Sequence, residues 1–171
     1  MVLRALRPFL AHPDVVRVVL VLPPTDAASP PPFLAELVGE RLLVAPGGAS
    51  RSDSVAAGLG ALGTDCAVVV VHDGARPFVE RAVIDAVIAH ARRGEPAIAA
   101  VPLSDTLKEA AASDASRIVR TLPREHLWRA QITQQVVHIG LVQCVFVGRH
   151  VGAAVENLVL HRLVVHRLPG H

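Results

Sequence analysis

The sequence predicts an α/β domain with a mainly parallel sheet flanked by helices. Short, almost unbroken apolar runs at residues 15–22, 42–45, 67–71 and 98–101 read as strands buried on both faces. Segments of helical periodicity alternate with those runs, the pattern of crossover connections between parallel strands. Glycines, acids and hydroxyl residues cluster directly after the strands, at the sheet edge where ligands collect in such folds.

The elements follow in order. Val2, Leu3, Leu6, Phe9 and Leu10 recur at helical spacing, so the chain opens on a helix with no strand before it. Residues 15–22 are apolar apart from Arg17 and are closed by Pro23-Pro24, which reads as a strand. TDAASPPP is expected to be a loop, and residues 33–38 a short helix ended by Gly39. After the strand at 42–45, PGGAS forms a turn, and residues 50–62 a helix with Ser50 or Ser52 as N-cap. The strand at 67–71 leads to an amphipathic helix over 80–93, carried by Val83, Ile84, Val87, Ile88 and Ala91 and stopped by Gly94. Residues 98–101 form the next strand. From Ile132 the character changes: five of the nine histidines and one acid, Glu156, lie in residues 132–171, and the periodicity is poor.

Composition bounds the function. The 171 residues suit one domain. With 51% hydrophobic residues, 19% charged and a net charge of +2, no basic block is dense enough to track a nucleic-acid backbone. No uncharged apolar stretch reaches the length of a membrane span, and the first residues are amphipathic, unlike a secretion signal. Cys66 and Cys144 lack metal spacing and are expected to be reduced in a cytoplasmic protein. His161 and His166 are five apart and share no face, so no metal site is expected from the histidines. Lys108 is the only lysine among 17 basic residues.

Four stretches carry chemistry. In GGASRSDS, Gly47 and Gly48 let a flat or anionic ligand approach the backbone; a helix start follows, with Arg51 and Ser54 on its first turn. In HDGARP, Asp73 can hold a magnesium ion or a sugar hydroxyl, Gly74 leaves room, and Arg76 can fork onto a phosphate. A plain Asp–Arg pair within the loop accounts for the same residues. VPLSDTLK offers Asp105 and Thr106 at a strand end, and TLPREHLW offers Arg124.

Taken in order, GG-x-x-R-x-DSV-x-x-GL, VHD-x-ARPFV, VP-x-x-DTLK and T-x-x-R-x-x-LW-x-AQ resemble the 2-C-methyl-D-erythritol 4-phosphate cytidylyltransferase family. The resemblance covers residues 2–131 and implies a nucleotidyltransferase (Rossmann-like) fold. It also implies a reaction: the phosphate of methylerythritol phosphate attacks the α-phosphorus of CTP, with Mg²⁺ present and pyrophosphate leaving. Asp73 and Arg124 would be catalytic, with Asp73 at the metal. Gly47, Gly48, Arg51, Ser54 and Gly74 would bind the nucleotide, and Asp73, Arg76, Thr106 and Arg124 the second substrate. Thr106 and Arg124 match an arm that crosses to a partner subunit, so a homodimer is implied.

The resemblance has departures. Residues 1–131 are expected to form a truncated domain lacking the family's first strand and glycine-rich loop, and 132–171 a tail with no match. That first strand is central in the family's sheet, so the runs at 15–22 and 67–71 are expected to lack their shared neighbour. Gln131-Ile132-Thr133-Gln134 stands where the family has Gln-Thr-Pro-Gln. Activity is therefore expected to be impaired. A chain that only binds nucleotide weakly or pairs with an intact subunit, and a ribitol 5-phosphate enzyme, are alternative readings.

Overall fold

A computed structural model describes residues 1–63, 67–95 and 97–130 in full, and the backbone of 136–138, 143–148 and 164–167. In chain order the elements are α1 (Val2–Leu10), β1 (Arg17–Leu22), α2 (Pro24–Ala28), α3 (Pro32–Ala35), β2 (Leu42–Pro46), α4 (Arg51–Leu62), β3 (Val68–Asp73) and α5 (Arg81–Arg92). They continue as β4 (Ala97–Pro102), β5 (Lys108–Ala111), β6 (Asp114–Thr121), β7 (Trp128–Ala130), β8 (Val136–His138), β9 (Gln143–Gly148) and β10 (Val164–Arg167).

The main sheet runs β2-β1-β9-β3-β8, parallel except for β8. Alternation along β1 and β3 divides the core. Val18, Leu20, Leu22, Val68 and Val70 pack with Leu6 and Phe9 of α1 and Ile84, Val87 and Ile88 of α5. Val19, Val21, Val69 and Val71 face the other way, against Val55, Leu59 and Leu62 of α4. Both faces of the two strands are therefore dry, which is why their sequences are continuous valine and leucine rather than alternating.

β9 corrects the expectation of a missing neighbour. It lies between β1 and β3, pairing in parallel with Arg17–Val21 on one side and Val68–Asp73 on the other. Two buried strand edges would otherwise leave rows of N–H and C=O groups unpaired, and the run QCVFVG supplies the pairing. The strand that closes the sheet thus comes from beyond residue 131.

Other differences are local. TDAASPPP is not all loop: Pro24 opens α2 at a position where its missing N–H costs nothing, and Asp26 sits in the first turn. The helix expected at 33–38 ends earlier, as α3. β3 extends past Val71 through His72 and Asp73.

β4 pairs with β7 and β10 in a second sheet. Beyond it β5 and β6 form a two-stranded arm, with every residue of β6 exposed. Cys66 lies outside the described residues, as do Gln131 to Gln134, and of Cys144 only the backbone is described. Among the described residues no helix is long and apolar enough to cross a membrane.

Candidate active site at the carboxyl edge of the sheet

The carboxyl ends of β1, β9 and β3 lie side by side, because Gly148 is in register with both Val21 and Asp73. Two loops rise from this edge, one after β2 and one after β3.

The first loop is fixed by α4. Ser50 caps the helix: its Oγ accepts from Asp53 N–H at 3.1 Å, and Asp53 Oδ2 accepts from Ser50 N–H at 3.0 Å. This reciprocal pair satisfies two orphan donors and selects Ser50 over Ser52 as the cap. Ser54 Oγ–H donates to the Ser50 carbonyl at 3.0 Å, and the same oxygen accepts from Gly48 N–H at 3.2 Å. Ser54 therefore holds Gly48 in place, and only a remaining lone pair of its hydroxyl is left for a ligand. A Cβ built on Gly48 would stand 2.3 Å from Asp53 Cβ. The glycine there is required by the first turn of α4 itself. Gly47, Gly48, Arg51 and Ser54 line, with Pro23 and Pro24, a cavity of about 170 Å³. The two prolines close β1 and line the same cavity as the glycines. Sequence reasoning used them only as strand punctuation.

The second loop turns tightly. Asp73 Oδ1 accepts from Ala75 N–H at 3.0 Å, and the Asp73 carbonyl accepts from Arg76 N–H at 2.9 Å. Arg76 Nε lies 3.7 Å from Asp73 Oδ2. The loop-pair reading of these residues is thus realised in the geometry, and the Asp73 side chain is 17% exposed. Beneath the turn His72 is buried, with Nε2 2.9 Å from the Arg76 carbonyl. Desolvation holds its pKa below the ordinary 6.5, against the raising effects of the Arg76 carbonyl and the Asp73 charge.

Gly74 and Ala75 line a second cavity, of about 360 Å³, together with Leu20, Leu22, Asp26 and Leu34. The expected nucleotide set is therefore divided: four of its members share the smaller cavity, and Gly74 lines the larger.

Thr106 and Arg124 belong to the root of the arm. Arg124 Nη1 donates to the Ser104 carbonyl. Leu103 N–H donates to Leu127 O and Leu122 N–H to Leu107 O, each at 3.0 Å, stapling the two sides of the root. Arg129 and Asp105 add an ion pair at 3.7 Å.

Magnesium bound with a nucleotide keeps waters and takes one or two carboxylates, the phosphates completing its shell. Asp73 fits as a single carboxylate of this kind. Among the described residues no group of three or more His, Cys, Asp or Glu could hold a metal without such help.

The family model described as IspD, 2-C-methyl-D-erythritol 4-phosphate cytidylyltransferase, matches residues 1–158, running past the expected boundary at 131. A relative bearing that enzyme name from Desulforamulus reducens is 39% identical over 146 residues, covering 80% of this chain and 61% of its own length. One from Frankia casuarinae is 43% identical over 121 residues, 70% of this chain and 43% of that protein. The crystal structure of the enzyme so named from Thermus thermophilus superposes with a TM-score of 0.62 at 32% identity, over 79% of this chain and 59% of that one. The 4-diphosphocytidyl-2C-methyl-D-erythritol synthase of Anaerococcus prevotii gives 0.69 at 23% identity, over 80% and 59%, and supports the fold alone. The chain spans at most 61% of the length of these four relatives. On the match across residues 1–158, the chain belongs to the 2-C-methyl-D-erythritol 4-phosphate cytidylyltransferase (IspD) family.

Proposed function

We propose that this chain binds CTP at the carboxyl edge and transfers its CMP group to 2-C-methyl-D-erythritol 4-phosphate. A phosphate oxygen of the acceptor bonds to the α-phosphorus, the bond to the β-phosphate breaks, and pyrophosphate leaves. The observation that carries this reading is the register Ala45–Val21–Gly148–Asp73, which sets the Gly47–Gly48 loop and the Asp73–Arg76 turn on one edge. In this reading Gly47, Gly48, Arg51, Ser54 and Gly74 meet the nucleotide. Asp73 holds the magnesium ion, whose chemistry when bound is to neutralise phosphate charge. Arg76, Thr106 and Arg124 take the acceptor. Arg124 reaches it across a homodimer, and the exposure of Ile118 and Val119 on the arm, 54% and 56%, favours such a contact. We place the protein in the cytoplasm, where the CTP that this reaction consumes is held.

The rate is expected to be low. Among the described residues Arg51 is the only basic side chain lining the smaller cavity. A cation at the transferring phosphoryl group is worth roughly 10³–10⁵ in rate, so turnover should lie at least about 10³-fold below that of a relative whose nucleotide pocket carries one more. A second reading, binding without catalysis, draws on the same cation count and on the Asp73–Arg76 pair. Pyrophosphate release with CTP, magnesium and either methylerythritol phosphate or ribitol 5-phosphate decides between them. Slow release with the first acceptor alone supports the proposal; nucleotide binding with no release from either supports the second reading.

A further inference from the structure

His72 is a poor choice for a place in the core. It is 1% exposed, on the face of β3 shared with Val68 and Val70, and its ring lies against Phe9 with centroids 4.9 Å apart. Its Nε2 meets the Arg76 carbonyl, which can only accept, so Nε2 carries the proton and Nδ1 is bare. Nδ1 is buried and, among the described residues, has no hydrogen-bond partner. An aliphatic residue would fill the same space with no stranded nitrogen. What the imidazole adds is one bond, Nε2–H to Arg76 O. That bond holds the turn from below, while Asp73 Oδ1 and the Asp73 carbonyl hold Ala75 and Arg76 from within.

We propose that His72 is the positioning residue of the Asp73–Arg76 turn, pinning the Arg76 carbonyl so that the Asp73 carboxylate and the Arg76 guanidinium are held together at the carboxyl edge. His72 touches neither substrate, and its importance for function rests on the reading of Asp73 and Arg76 given above. The structural claim stands apart from that reading and can be tested without substrate.

The test compares the full chain with His72→Gln, which offers an amide N–H at similar reach, and His72→Leu, which keeps the apolar bulk and removes the donor. The readout is amide exchange at Ala75 and Arg76. In His72→Leu these amides should exchange about two- to tenfold faster, the effect of one lost hydrogen bond on a local opening. His72→Gln should restore most of the protection, and Val69 and Val71 should be unchanged in both. Unchanged protection at Arg76 in His72→Leu overturns the proposal and makes His72 core filling. Should the leucine variant fail to fold, the ring of the parent decides. A proton on Nε2 with a coupling across the hydrogen bond to the Arg76 carbonyl carbon supports the proposal, and a proton on Nδ1 overturns it. Binding of magnesium–CTP and methylerythritol phosphate should fall in His72→Leu and return in His72→Gln. If the parent binds neither, the functional reading fails while the exchange data still judge His72.

Discussion

Gly148 of β9 pairs in parallel with Asp73 of β3, so the strand that completes the sheet ends beside the acid of the candidate site. Fold and site therefore depend on the same short segment. β9 is hydrogen-bonded on both sides, and the backbone of Val145 is in register with Val18 on one and Val70 on the other. Val145→Pro removes a ladder donor from a central strand. Leaving its acceptor buried and unpaired costs about 1–3 kcal/mol, so thermal unfolding should move down by at least about 2 °C. An unchanged melting temperature would mean that β9 does not occupy this slot.

Gly48 and Gly60 should respond in opposite directions to alanine. At Gly48 the added methyl meets Asp53 Cβ at 2.3 Å, so the cap of α4 must shift. Losing such a cap costs about 1 kcal/mol, and CTP affinity should fall with it. Gly60 is exposed within α4 and has nothing within 4 Å of its built Cβ, so Gly60→Ala should stabilise by about 0.5–1 kcal/mol. Denaturant titration of both variants checks the pair.

Acid should destabilise the fold through His72. Burial depresses its pKa from 6.5, and the charges of Asp73 and Arg76 act on it in opposite senses. Above pH 6.5 the ring is neutral in both folded and unfolded chains, and its contribution does not vary. Below that value the unfolded chain takes up a proton that the folded one refuses. Stability should then fall as pH drops, by up to about 1.4 kcal/mol per unit, until the folded pKa is reached. Chemical denaturation between pH 7 and 5, compared with His72→Leu, isolates this part of the slope.

Arg124→Ala separates an acceptor-binding role from a purely structural one. Truncating one partner of a charge-assisted phosphate contact costs about 2–5 kcal/mol. Affinity for methylerythritol phosphate should fall at least tenfold, while CTP binding holds. Loss of the bond to the Ser104 carbonyl alone would leave both affinities unchanged and loosen only the arm.

Much of this architecture was legible residue by residue. The valine runs that became β1 and β3 announce strands buried on both faces, and Gly47, Gly48 and Ser50 announce a turn and a capped helix. The place of β9 was not legible: parallel pairing of Val70 with Val145 joins residues far apart in the chain, and no local pattern encodes it. The helix α2 was signalled, by Pro24 at its first position and Asp26 in its first turn, but the later prolines read as loop. Within the candidate site, Asp73 and Arg76 stood out because charged residues at a strand end need a reason. His72 did not, since a single histidine carries no information until its burial and the Arg76 carbonyl are known. Thr106 and Arg124 drew their roles from the family resemblance alone.

The central claim is that this edge binds CTP and transfers CMP, and single-turnover ³¹P NMR tests it most directly. Protein in excess over CTP, with magnesium and methylerythritol phosphate, should slowly convert the triphosphate signals into free pyrophosphate and a new diphosphate diester. Asp73→Ala should abolish the conversion. Unchanged CTP and acceptor signals after prolonged incubation with folded protein, or conversion undiminished in Asp73→Ala, would contradict it.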